Sequence, residues 1–181
     1  MGSMNDFFIR KITHEAINAV RATFSPAEVI TNSEYIRVLD ATLQEKELAE
    51  LSLQLETDVI WLSYHSITDW FEYYHWQAGK LVRALGYGLY KERTWERIEG
   101  LSEAWEREFF FDPDDLALLV DDDEDDEEDK LSDQEKQRLE QFWQTGELVI
   151  GEHIPVLSAQ RCAFYIANYY QFPGREFERP W

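Results

Sequence analysis

The sequence predicts an all-α domain, an irregular bundle of about six helices with one acidic loop. Three observations predict it. Apolar residues recur at steps of three and four through most of the chain. Ser, Thr or Asp, often with an acid three residues on, stands before several of these runs, as at a helix start. The only low-complexity stretch is an acidic run between two of them.

From the N-terminus, Met1-Gly2-Ser3-Met4 reads as a scar left by expression, and residues 5–181 as a single domain. Ile9, Ile12, Ala16, Ile17, Val20 and Phe24 share one helical face, so a helix is expected over 9–24. Ser25-Pro26-Ala27-Glu28 supplies an N-cap, a first-turn proline and a capping acid. Ser33-Glu34 opens the next run, through Tyr35, Ile36, Leu39 and Leu43, and the stripe changes phase near 44–47. It resumes at Leu48, Leu51, Leu55, Val59 and Leu62. Leu51, Leu53 and Leu55 also alternate as a strand would, but the abundance of Leu, Glu and Gln favours helix.

Thr57-Asp58 reads as the cap of a long helix carrying Ile60, Tyr64, Ile67, Phe71 and Tyr74, with Trp61, Trp70 and Trp76 widening the stripe. It continues past Gly79 to Leu85 and stops at Gly86-Tyr87-Gly88. Thr94 caps a helix over 95–109, and Asp112-Pro113-Asp114-Asp115 starts one through Val120. After the acidic run, Ser132 with Glu135 opens a helix that Gly146 ends. Leu148-Val149-Ile150 is the one candidate strand, or an extended connector. Ser158 caps a last helix with Cys162, Tyr165, Ile166 and Tyr169 inward, stopped at Phe172-Pro173-Gly174.

Charge is the strongest global signal. The chain carries 37 acids against 17 Lys and Arg, a net −20. Asp121 to Asp129 is an unbroken acidic run, and the rest of the chain is acidic as well. A field of this sign repels nucleic acid and anionic lipid and attracts basic proteins and divalent cations. No run of about 18 apolar residues occurs, so no membrane span is expected. A single Cys162, expected as a buried core thiol, fits a reducing compartment, and the cytoplasm is the expected location.

The chain has no Gly-x-Ser-x-Gly and no glycine-rich phosphate loop. The acidic run lacks the glycine and donor spacing of an EF-hand. One constellation could hold a metal: on a helix, His65, Asp69 and Glu72 share a sector, and Glu72-x-x-His75 has the spacing of carboxylate-bridged di-metal bundles. Only one copy exists, so a site built on His65, Glu72 and His75 needs a ligand from elsewhere, such as His14 or His153. The competing reading is a polar helix face opposite an aromatic core stripe.

These features favour a non-catalytic interaction protein (an inhibitor, immunity-type protein, adaptor or nucleic-acid mimic). It is expected to bind a basic protein partner through Asp121, Asp122, Asp123, Glu124, Asp125, Asp126 and the terminal Trp181. No cofactor, direct nucleic-acid contact or membrane contact is expected, and a homodimer is plausible on base rates. The alternative is a metal-dependent helical enzyme using a transition metal at His65, Glu72 and His75, with Asp69 orienting a ligand or acting as base.

Overall fold

A computed structural model of the chain describes residues 3–10, 13–24, 28–39, 44–90, 94–120, 132–152 and 158–174. It overturns the all-α helical bundle. The centre of the molecule is a seven-stranded antiparallel sheet with short helices around it. In chain order the elements are β1 (Ser3–Arg10), α1 (His14–Thr23), β2 (Val29–Thr31), β3 (Tyr35–Val38), α2 (Glu45–Gln54), β4 (Asp58–His65), β5 (Trp70–Gln77), β6 (Lys80–Tyr87) and β7 (Trp95–Gly100). Then come α3 (Ala104–Phe110), α4 (Pro113–Val120), α5 (Asp133–Thr145) and α6 (Ala159–Tyr169). The strands lie in the order β2-β3-β1-β4-β5-β6-β7.

The long helix expected from Thr57 to Leu85 is three strands. Helices pack on both sides of this sheet, so both faces of β4 and β5 are largely apolar and most of the polar half of a strand's alternation is missing. A nearly continuous apolar run contains helical spacings by chance. Local chemistry already favours strand there, because Val59, Ile60, Trp61, Tyr64, Trp70, Phe71, Tyr73, Tyr74 and Trp76 are β-branched or aromatic. The decisive local feature is Ala78-Gly79, where both residues have positive φ (45° and 80°). That is the two-residue turn whose twist suits a hairpin. Gly79 also lies close against α2: a Cβ there would stand 2.9 Å from the Leu53 Cβ.

The other revisions follow the same logic. Residues 9–24 divide into the end of β1 and α1, and 35–38 form β3 rather than a helix. The run over 95–109 is β7 followed by α3. The helices expected at 113–120, after Ser132 and after Ser158 are present, and the Ser132–Glu135 capping box is formed. The connector 148–150 is irregular and forms no strand, although Gly151 and Glu152 bond to both backbone groups of Trp95 beside it. Ser3 and Met4 are part of β1, opposite His65 and Tyr64, and Met4 is buried.

Two cores flank the sheet. Phe7, Ile9, Val59, Trp76 and Ala84 pack under Ile17 and Val20 of α1 and Leu48 of α2. On the other face Phe8, Ile60, Leu62, Tyr73, Leu85 and Tyr87 meet Trp105 and Phe110 of α3, Trp143 of α5 and the small inner residues of α6, among them Cys162. Cys162 is fully buried, and burial pushes its thiol well above its ordinary value.

Where β7 ends, Gly100 has φ +81°, and a Cβ there would lie 2.0 Å from the carbonyl oxygen of Val82. Gly100→Ala is expected to cost at least about 2 kcal/mol, seen as a lower thermal midpoint. Gly151→Ala is the control, since its φ is +83° but nothing lies within 4 Å. Equal losses in the two variants would show that backbone conformation alone decides.

Candidate functional site

The densest group of ionisable side chains lies on the sheet face under α3. Asp58 opens β4, and His75 sits on the next strand within one pleat of it. Glu103 is the N-cap of α3, a position held by reciprocal bonds with Glu106. The sheet thus supplies an acid and a base, and the helix start supplies the second acid. His75 Nδ1 meets Glu103 Oε1 at 2.5 Å, and Nε2 meets Asp58 Oδ1 at 3.4 Å.

The two carboxylates are themselves well supported. Asp58 also accepts from Gln77 Nε2 at 2.9 Å and from Arg10 at 3.2 Å. Glu103 accepts from Trp105 Nε1 at 2.8 Å and from the Tyr73 hydroxyl, which lies 3.2 Å from the hydroxyl of Tyr170.

The electrostatics follow from this geometry. Burial opposes the charge on His75, but hydrogen bonds and attraction from Asp58 and Glu103 outweigh it and raise the imidazole from 6.5 to about 9. His75 bonding is the main cause that holds Asp58 below the usual carboxylate range. Burial works against the charge on Glu103, yet His75, Tyr73 and Trp105 together bring its carboxyl below the ordinary value. At neutral pH this is an imidazolium locked between two carboxylates. Both ring nitrogens are engaged, so it clamps α3 to the sheet rather than exchanging protons.

Two further buried pairs stand on the same face. Arg83 meets Glu106 through Nε at 2.8 Å and Nη2 at 2.6 Å, a bidentate pair with both side chains 3% exposed. Arg37 meets Asp6 at 2.6 Å and donates to the Pro173 carbonyl at 3.2 Å. Arginine suits these positions because its fork satisfies several acceptors at once.

The metal constellation drawn from helical spacing is dispersed by the sheet. His65 and Glu72 share one face, with His65 stacked on Trp70 and Glu72 opposite Ser63. His75, three residues along a strand from Glu72, points to the other face and is held by Asp58 and Glu103. Asp69 lies in the turn after β4 and accepts from the Ala159 backbone N–H at 2.8 Å. His14 is exposed on α1, and His153 lies outside the described residues. Among the described residues no three His, Cys, Asp or Glu side chains converge as metal ligands. Asp121, Asp122, Asp123, Glu124, Asp125, Asp126 and Trp181 all lie outside the described residues.

The sequence reading missed Asp58, Glu103, Arg83 and Glu106. Their signal in the sequence is weak, since Arg83 stands alone in an apolar run and Glu103 and Glu106 are two acids among 37.

Residues 12–131 match a family of unknown function (DUF6928), more than half of the chain. The chain belongs to this family. The part that matches DUF6928 runs from just before α1 through β7, α3 and α4. It therefore holds Asp58, His75, Arg83, Glu103 and Glu106, whereas β1, α5 and α6 lie outside it. No curated protein and no solved structure matches the chain.

Proposed function

We propose that this DUF6928 member is a non-catalytic acidic interaction protein that captures a basic protein partner. The observation that carries the reading is where its few cations go. The chain has 17 Lys and Arg against 37 acids. Arg37 and Arg83 are buried and neutralised by Asp6 and Glu106, so they present no charge to solvent. Arg10, Arg97, Arg138 and Arg161 are held by Asp58, Glu45, Glu152 and Asp115. Pairing off these arginines leaves the surplus of acids, 37 against 17 cations, without compensation, and a charge of this kind steers cationic proteins to the chain. A reducing cytoplasmic setting fits the lone buried thiol of Cys162. No helix among the described residues is long and apolar enough to cross a membrane.

The test begins with affinity capture from a lysate at low salt. The recovered partner is then purified, and its association rate with this chain is measured at low and physiological ionic strength. A basic partner whose association slows by about tenfold or more at the higher salt supports the reading. A neutral or acidic partner, or a salt-independent rate, rejects it.

A further inference from the structure

The face of the sheet under α1 and α2 is only partly covered. Strand register aligns Asn5, Ser63, Glu72, Gly86 and Arg97 in one row across β1, β4, β5, β6 and β7. On β4 and β5 the row beside it pairs Trp61 with Tyr74, and the row on the other side pairs His65 with Trp70. Ser63 is too short to cover the carboxylate opposite it, while on the other flank the Leu89 side chain lies over Gly86, its Cδ1 2.8 Å from where a Cβ would stand. Glu72, His65 and Trp70 are half-buried and belong to neither packed core. Trp61, also half-buried, is fixed by its Nε1 donating to Asn5 Oδ1 at 2.7 Å and by stacking on Tyr74 at 5.1 Å.

Glu72 differs from the other acids set into the sheet faces. Asp6, Asp58 and Glu106 have Arg37, His75 with Arg10, and Arg83; Glu103 at the head of α3 has His75. Glu72 has one hydrogen bond, from the Tyr74 hydroxyl at 3.2 Å, and no ion pair among the described residues. Arg97 comes over the Tyr74 ring at 4.7 Å, but its N–H groups go to Glu45, Glu99 and the Tyr74 hydroxyl. Burial, aided by the negative charge of Glu45, outweighs the Tyr74 bond and the attraction of Arg97 and pushes the Glu72 carboxyl above its ordinary value.

We propose that Glu72, framed by Trp61 and Trp70, is the docking point for a lysine or arginine side chain of the basic partner. This rests on the function proposed above and gives it an address. Indole rings are the strongest cation acceptors among side chains, and a carboxylate between two of them supplies the counter-charge. Neighbours on adjacent rows of a sheet lie within reach of one long side chain. The chain already shows this chemistry, where Arg97 lies over Tyr74 with Glu45 as counter-ion and Arg161 over Phe109 with Asp115. A lone carboxylate with aromatic neighbours suits an organic cation better than a metal ion, which needs several converging donors.

The probe is a hexa-arginine peptide, titrated at physiological salt, with affinity and the indole N–H resonances of Trp61 and Trp70 followed together. Glu72→Gln keeps the side chain's shape and is expected to weaken binding about tenfold. Glu50→Gln on α2 makes the same change in net charge at an exposed position and is expected to change it less than about twofold. Trp70→Leu is expected to weaken binding about threefold with Glu72 intact. Equal small losses in Glu72→Gln and Glu50→Gln, with the two indole signals unmoved, would overturn the site while leaving acidic capture standing. No binding by the unaltered chain even at low salt would overturn both.

Discussion

Arg83→Met is expected to lower stability by about 3–5 kcal/mol, enough to bring the thermal midpoint down by roughly 10 °C or more. The cause is the carboxylate left behind. Glu106 is 3% exposed in its side chain and receives two guanidinium bonds, so without Arg83 its charge stands uncompensated in a low-dielectric layer. Arg83 also donates to the carbonyls of Glu99 and Gly100 at 3.3 and 3.0 Å, which ties the end of β7 to the same point. Burial already pushes the Glu106 carboxyl upward against the pull of Arg83, which shows how costly the charge is there. Combining Arg83→Met with Glu106→Gln is therefore expected to recover part of the loss, because the orphaned charge is gone while an acceptor for the Glu103 backbone N–H remains. Thermal and denaturant unfolding of the single and double variants decide the matter. A double variant less stable than Arg83→Met alone would mean that the pair acts through packing rather than charge.

His75→Gln carries the second large effect, and its signature is in the pH profile. The folded imidazole titrates near 9 against 6.5 for an ordinary histidine. A raised folded value means that the stabilisation is complete below about 6.5 and fades as pH rises through about 9. The interval corresponds to about 3 kcal/mol. Asp58 and Glu103 work in the opposite direction. Their lowered values stabilise the fold above the ordinary carboxylate range, and that contribution is lost as pH falls through it. The clamp is thus strongest between about pH 5 and 6.5. In His75→Gln the midpoint is expected to be about 10 °C lower at pH 6 and nearly level between pH 6.5 and 9, where the unaltered chain declines. A parallel decline in both proteins would assign the alkaline loss to other groups.

The sequence carried the helical parts of this fold more faithfully than the sheet. Ser132 with Glu135 and Ser158 stand at real helix starts because capping is a local interaction, complete within four residues. The strands were hidden for a non-local reason. A sheet wrapped by helices on both sides needs apolar residues at consecutive positions, so Val59-Ile60-Trp61-Leu62 shows no period of two. Ala78-Gly79 was the one local sign of the hairpin, and alanine at a positive φ masks it, since Asn or Asp is the usual residue there. The polar network was hidden by sequence distance. Asp58, His75 and Glu103 come from three elements, and only the strand register and the α3 cap place them together. Glu72 and His75 were singled out as partners on a helix. A strand sends them to opposite faces, one into a satisfied clamp and the other to a half-buried position beside Trp70.

The position of β1 has a consequence for how the chain is made. Its neighbours are β3 on one side and β4 on the other, so it lies inside the sheet and not at a rim. It precedes both of them in the chain, and its second neighbour is complete only when His65 has been added. Until then Phe7, Phe8 and Ile9, which end almost wholly shielded from water, have no finished seat. The local meander from β4 to β7 needs no such wait, because each of its strands pairs with the next one synthesised. β1 therefore carries adhesive apolar side chains through more than fifty further residues of synthesis before both of the strands that will flank it exist.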